Sequence, residues 1–532
     1  MNPGTVPSSG GYDPRLVAAA QALNKNELPI AETVLRELLK DDPFEVRAIR
    51  MLAELAGRLG RNRDAESLLR RALELSPNFT AARSNLALVL YRTNRPAEAI
   101  EELQRVKLEE PDGFVNSNLE AAVLGLIGAF DEALELYRLI LDQQPNQPRV
   151  WMSFGHTLKT VGRQAEGIDA YRRALELMPE LGEAWWSLAN LKTVRFDAAD
   201  IATMEAMLDW PELSEEDRFH LEFALGKARE DRGEAEAAFA HYTAGNALRR
   251  KSLPYKAAET TRFVDEVIVA ATPDLFAAHT RHGCQAPDPI FIVGMPRAGS
   301  TLIEQILSSH SMIEGTSELL DIPVLARELE GYPQALSNLD EARLLQLGEE
   351  YLRRTRIHRR SDRPLFIDKL PNNWVHVPFI HLILPNARII DARRHPLGCC
   401  FSNFKQHFAR GQGFTYDLED VGRYYRDYVR LMAHVDRVQP GRVHRVIYER
   451  MVEDTESEVR ALLDYCGLQF EAGCLAFHRT DRPVRTASSE QVRQPIYREA
   501  TEAWKPYEPW LGDLRQVLGE VLENYPEVPD RM

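Results

Sequence analysis

A proline recurs every 34 residues through the first third of the chain, at Pro43, Pro77, Pro111, Pro145 and Pro179. Twelve residues before each lies a small residue: Ala31, Ala65, Ala99, Ala133 and Gly167. Twelve residues earlier again stand Ala19, Ala53, Ala87, Ala121 and Gly155. Three ladders with one period mean a stack of supersecondary units, not a single globular core. The chemistry of each rung suggests its structure. A proline cannot continue a helix, so it marks where the second helix of a unit stops. The small residues fall where two antiparallel helices cross closely. The expected architecture is an α-solenoid.

These ladders resemble the tetratricopeptide repeat, whose period is 34. The fifth unit adds Trp151, Tyr171 and Ala174 at the family's offsets, and Trp185 opens a sixth that diverges after Asn190. Gly226, Ala238 and Tyr242 predict a degenerate last unit reaching about Arg250. Leu253 to Pro287 reads as a helical connector ending in a Gly/Pro hinge. The expected organisation is a flexible tail over 1–13, repeats over 14–212, a repeat-like helical pair over 213–252, a connector over 253–285, and a second domain over 286–532. The resemblance implies a concave groove that takes a peptide or protein, the alternative being a passive spacer or dimerisation arm.

Composition narrows the partners. A formal net charge of −15 argues against a nucleic-acid binder or a protein that lies on anionic membranes. No window approaches eighteen uninterrupted apolar residues, so no membrane span is expected. The first fourteen residues are polar and rich in Gly, Pro and Ser, which reads as a frayed tail and not a signal peptide. Five cysteines, at 284, 399, 400, 466 and 474, are sparse and lack zinc-type spacing. Adjacent Cys399 and Cys400 read as packing residues. The expected compartment is the reducing cytoplasm.

The second half carries the chemistry. A β-type run from Pro289 ends at Gly294, a turn built on Pro296 and Gly299 follows, and an amphipathic helical run starts at Ser300. This strand–loop–helix is a phosphate cradle, in which glycines admit the ligand and N–H groups at the helix start face an anion. Gly294-x4-Gly299 matches the Walker spacing, yet Ser300 stands where a nucleotide triphosphatase carries lysine. The positive charge is inside the loop instead, as Arg297. Further β-type runs at Pro364–Asp368, Arg388–Asp391 and Arg442–Tyr448 alternate with helical stretches, which predicts a parallel α/β sheet. Ligands of such sheets bind beyond the carboxyl ends of the strands. Arg297, Lys369, Arg393 and Arg394 all fall at those ends.

The loop Pro296-Arg297-Ala298-Gly299-Ser300-Thr301 resembles the 5′-phosphosulfate loop of sulfotransferases that use 3′-phosphoadenosine 5′-phosphosulfate (PAPS), usually Pro-Arg-Ser-Gly-Thr-Thr. It differs by one conservative change and by the loss of a hydroxyl at Ala298. Arg394 and Ser402 match the family's arginine and serine, eight residues apart, that hold the donor's 3′-phosphate. The sequence is most similar to the tyrosylprotein sulfotransferase branch, over roughly residues 286 to 510. Glu318 stands seventeen residues after Thr301, where that branch has its general base. Lys369 in Asp368-Lys369-Leu370-Pro371 resembles its Asn-Lys-Asp-Pro lysine, and Ser488-Ser489-Glu490-Gln491-Val492 echoes its Ser-Thr-Asp-Gln-Val motif.

The resemblance implies a P-loop-like sulfotransferase domain with PAPS as donor and no metal. It implies donor contacts from Arg297, Ala298, Gly299, Ser300, Thr301, Arg394, Ser402 and Tyr448, the last near the adenine. It implies catalysis by Glu318, Lys369 and Ser488, with the choice between Ser488 and Ser489 open. His310 and His376 are alternative bases, and Arg393 is the expected structural member of its pair. Two departures stand out. Leu320 replaces an arginine used to engage acidic peptides, and Ala503 replaces a late basic residue, with Lys505 nearby. Two other readings are a P-loop kinase-like phosphoryl transferase, and a repeat scaffold whose sulfotransferase-like domain is inactive.

Overall fold

The computed structural model describes residues 13–110, 116–408, 412–486, 488–496 and 498–529. Most of the expected tail and the ladder proline Pro111 lie outside them. The chain divides into two compact units, Met1–Pro145 and Asn146–Met532.

The first unit is a run of helices that pack pairwise, from Pro14–Asn24 with Leu28–Asp41 to Ser117–Leu126 with Phe130–Gln143. Helices Leu28–Asp41, Asn62–Leu75 and Phe130–Gln143 each stop two residues short of a ladder proline, as the rungs predict. All eight small residues of this unit's first four rungs are buried. A side chain larger than alanine there would push the paired helices apart.

The second unit begins with helices of the same kind, Pro148–Thr160 and Gln164–Leu177. Here the small position is Gly155, and a Cβ added to it would lie 2.7 Å from the ring of Tyr171. The same contact recurs between Gly226 and Tyr242, at 2.6 Å, in the pair Glu215–Asp231 and Ala235–Lys251. The degenerate unit read from sequence is thus built like its predecessors. Gly155→Ala is expected to cost about 1–3 kcal/mol through overpacking, seen as a lower denaturation midpoint. Gly125→Ala meets nothing within 4 Å and should not destabilise.

Five parallel strands follow: β1 Pro289–Gly294, β2 Ile313–Ser317, β3 Leu365–Asp368, β4 Arg388–Arg393 and β5 Val443–Ile447. Their order is β2-β3-β1-β4-β5. Strand β1 is buried throughout, as its unbroken apolar run requires of a central parallel strand. Strand β2 escapes sequence reading because Ile-Glu-Gly-Thr-Ser has no apolar alternation. It pairs with β3 alone, and its Glu314 carboxylate accepts the Ser361 N–H at 2.9 Å. From β1 the chain crosses to one side of the sheet, and from β4 to the other. The crevice between β1 and β4 is therefore the topological switch point, where such sheets bind ligands.

The expected boundary near residue 286 marks the change from helices to sheet. Compactness divides the chain elsewhere, after Pro145. The reason is packing that no composition shift announces. Phe239, in the last helical pair, stacks on Phe401, Phe404 and Trp510 at 5.5–6.4 Å between ring centroids. Buried Asn246 donates to the Phe404 carbonyl at 2.8 Å, and Lys405 pairs with Glu230 at 2.9 Å. The connector helix Ala257–Ala270 likewise lies on the long helix Leu418–Val438, with Thr261 donating to Asp427 at 2.6 Å. Among the described residues, no helix is long and apolar enough to cross a membrane. The five cysteines are all free thiols.

Candidate active site

The loop after β1 is shaped by its backbone. Arg297 (φ 66°) and Gly299 (φ 100°) adopt left-handed conformations before the helix Ser300–Ser308 begins. Alternating handedness turns successive N–H groups toward one concavity, and the first N–H groups of the helix have no intrahelical acceptor. The helix Pro396–Phe404 pins the loop from below, since buried Asn403 donates to the Pro296 carbonyl at 2.8 Å. The Cys399 thiol reaches the same carbonyl at 3.5 Å, so this cysteine packs, as expected.

Above the loop lies a cavity of about 530 Å³, within the ~300–1,000 Å³ usual for small-ligand sites. Of the residues singled out in the sequence, Arg297, Gly299, Ser300, Thr301, Arg394, Ser402, Tyr448 and Ser488 line it. Arg297 donates to Ser402 at 3.2 Å and also to Ser488, and Arg394 donates to the Arg297 carbonyl at 3.2 Å. The Arg394 guanidinium sits 4.8 Å from the Tyr448 ring centroid. A Cβ at Gly299 would come within 2.7 Å of the same ring, so glycine is needed there on space as well as on φ. The loop and the Arg394/Ser402 pair, more than ninety residues apart in sequence, face one cavity.

Ala298 departs from expectation. Its methyl is buried, its N–H is taken by the Met295 carbonyl at 3.3 Å, and it is not among the lining residues. The missing hydroxyl therefore leaves no gap in the cavity wall. Ser488 lines the cavity, whereas Ser489 is buried and donates to Glu490. Lys505 pairs with exposed Glu502 at 2.5 Å and does not reach the cavity, which Ala503 and Trp504 line instead.

Glu318 and Lys369 form a pair of their own. Lys369, at the end of β3, is buried and donates to Glu318 at 2.6 Å. The Glu318 side chain is 45% exposed, so one face of the carboxylate is open to an incoming group. Glu304 stands 4.0 Å from the same ammonium and one helical turn after cavity-lining Thr301. Arg482 clamps Glu304 at 3.2 Å and Gln305 at 2.7 Å, tying the Ser488 segment to this helix.

Other candidates belong to the core. His376 is half-buried against the Tyr332 hydroxyl at 2.8 Å, and desolvation pushes its imidazole down to about 4. His310 is buried, bonded to the Gln469 carbonyl at 3.0 Å and to the Met312 N–H at 3.1 Å. Arg393 is fully buried against Asp391 at 3.0 Å, the structural role expected of it. Sequence reading missed Lys192, Arg195, Lys227 and Lys405, which also line the cavity. Three of these come from the helical half, and no local signal separates them from solvated surface charge.

Residues 289–472 match the sulfotransferase family, and residues 58–123 and 148–180 match tetratricopeptide repeat families. A protein of Aquifex aeolicus (strain VF5), named only as uncharacterized, is 34% identical over 334 residues. That match takes in 60% of this chain but 44% of the relative, so the chain spans less than half of that protein. A Caenorhabditis briggsae protein named "Putative protein-tyrosine sulfotransferase" is 22% identical over 228 residues, 40% of this chain and 80% of its own. Among solved structures, the sulfotransferase domain of the Synechococcus PCC 7002 olefin synthase is 20% identical (TM-score 0.33, 42% of this chain and 88% of that one). MamA is 22% identical (TM-score 0.27, 30% and 95%). The chain thus carries regions that match tetratricopeptide repeat families, followed by a region that matches the sulfotransferase family.

Proposed function

We propose that the chain is a PAPS-dependent sulfotransferase that moves a sulfuryl group to an acceptor hydroxyl on a protein, peptide or glycan. The convergence of the loop with Arg394 and Ser402 on one cavity supports this reading most strongly. A simple phosphoryl donor needs one anion cradle, whereas a 3′-phosphorylated phosphosulfate needs two. The donor set also fits in charge. Among the described residues, six cations line the cavity (Lys192, Arg195, Lys227, Arg297, Arg394 and Lys405) against two carboxylates, Glu230 and Asp231.

When bound, PAPS supplies the sulfuryl group and a phosphate leaving group. The chain's own residues do the rest. The N–H groups of the loop and helix start, with Arg297, hold the phosphosulfate end, and Arg394 with Ser402 holds the 3′-phosphate. Tyr448 walls the space between Gly299 and Arg394. Glu318 takes the proton of the acceptor hydroxyl, which is otherwise a poor nucleophile at neutral pH. Lys369 orients that carboxylate through their 2.6 Å contact. Cations placed where charge develops are most useful in the transition state, which assigns Lys369 and Arg297, assisted by the Ser488 hydroxyl, to the leaving side. The repeats bind a peptide or protein, and the free cysteines suit a cytoplasmic setting.

Calorimetric titration of the full chain with PAP, ATP and AMP tests the donor. PAP is expected to bind at least ~100-fold tighter than ATP, since only PAP presents a 3′-phosphate to Arg394. A preference for ATP would show a kinase-like site, and no nucleotide binding at all would leave the scaffold reading.

A further inference from the structure

The helical half reaches into the donor cavity. Lys192 follows the helix Gly182–Asn190, Lys227 lies on Glu215–Asp231, and both line the cavity with Arg297, Ser402 and Ser488. Resting on the donor reading above, we infer that the terminal repeats complete the nucleotide site, with Lys192 binding an anionic group of the 3′,5′-bisphosphate. The last repeats are then no separable arm, because they hold part of the site.

Three observations carry this. First, Lys192 is fixed by the repeat itself: its φ of 63° is the left-handed turn with which Asn26, Gly60, Asn94, Gly128 and Gly162 end the equivalent helices of the earlier units, so the end of helix Gly182–Asn190 sets the lysine at the cavity wall. Second, Lys192 is placed on the segment that carries Ser488, donating to the Gln491 side chain at 3.4 Å, three residues beyond it. Lys227 and Arg195 pair with Asp231, and Lys405 pairs with Glu230, around the same cavity. Third, the ammonium sits in a field of its own sign. Burial holds it well below the usual lysine range, and Arg297, Lys405, Lys159 and Lys227 press it the same way. A polyanion seated among these groups removes that repulsion.

The Ser488 segment is held by the same helical half. The Val484 N–H donates to the Thr160 carbonyl at 2.9 Å, and Arg493 donates to it at 3.2 Å. The repeats thus grip the strap that carries Ser488 on both sides of it, and Lys192 bonds to Gln491 within it.

The test uses PAP and the full chain. Lys192→Met is expected to weaken PAP binding roughly 10- to 100-fold, with Lys192→Arg restoring most of it. The PAP-induced rise in melting temperature should shrink in step, while the melting temperature without PAP stays near wild type. Lys107→Met, on the exposed surface of the first unit, is the charge-matched control. If wild type binds PAP and Lys192→Met binds it within two-fold of wild type, the repeat contribution is wrong and the donor reading stands. If wild type does not bind PAP, the donor reading itself falls and takes this inference with it. Should Lys192→Met fail to fold, Lys192→Gln keeps the polar stem and carries the same expectation.

Discussion

Glu318→Gln is expected to reduce sulfuryl transfer by about 10²–10⁴-fold, the range for removing a general base, while PAP affinity stays within two-fold. The separation of effects follows from geometry. Glu318 does not line the donor cavity and makes its contact with Lys369, whose ammonium also stands 4.0 Å from Glu304, one helical turn beyond Thr301. Loss of its charge therefore touches the acceptor step and leaves the phosphate contacts in place. Lys369 complicates the variant, because a buried ammonium that loses its partner carries a desolvation cost. Glutamine keeps an oxygen for that ammonium, whereas Glu318→Ala removes it, so Gln is the cleaner probe. Single-turnover transfer from PAPS, measured beside PAP titration, separates the two readouts. Turnover near wild type in Glu318→Gln would show that another group takes the proton.

The second large effect contrasts two neighbours. Arg394→Ala is expected to weaken PAP binding at least ~100-fold, with the fold retained. Arg394 lines the cavity, and its loss removes charge-assisted bonds to a phosphate and the guanidinium over Tyr448. Arg393→Ala should act in the opposite way, leaving the cavity wall intact but destabilising the protein by about 3–5 kcal/mol, as breaking a buried ion pair does. Its partner Asp391 is fully buried at the centre of a network with Arg445 at 2.9 Å and Tyr428. That network holds the Asp391 carboxyl below its ordinary value despite burial. Calorimetry with PAP and denaturant unfolding, run on both variants, should place them on different axes. Equal loss of binding without loss of stability in Arg393→Ala would contradict this division of roles.

The sequence reads best where the chemistry is local. The phosphate cradle is one strand, one turn and one helix, so its glycines, its arginine and its helix start are contiguous from Gly294 to Thr301. The Arg394 to Ser402 spacing is also local, since the arginine ends a strand and the serine lies on the next helix. The repeat ladders are periodic, and each rung reports the same packing contact. Strand β2 was not legible because a polar strand at the edge of the sheet carries no alternation. Ala298 was placed at the ligand because motif position does not say which way a backbone N–H points.

Sequence alone therefore determined the solenoid, the parallel sheet and the anion-binding loop, because periodicity, apolar runs and turn residues act over a few residues. Only the tertiary structure decided which distant groups share a cavity. It set Lys192 and Lys227 on one cavity with Arg297, put Ser488 and not Ser489 on that cavity, and paired Glu318 with Lys369. It also moved the compact boundary to Pro145, joining the last repeats to the sheet. Those outcomes depend on groups up to 333 positions apart coming together, and burial among remote neighbours leaves no mark on local sequence.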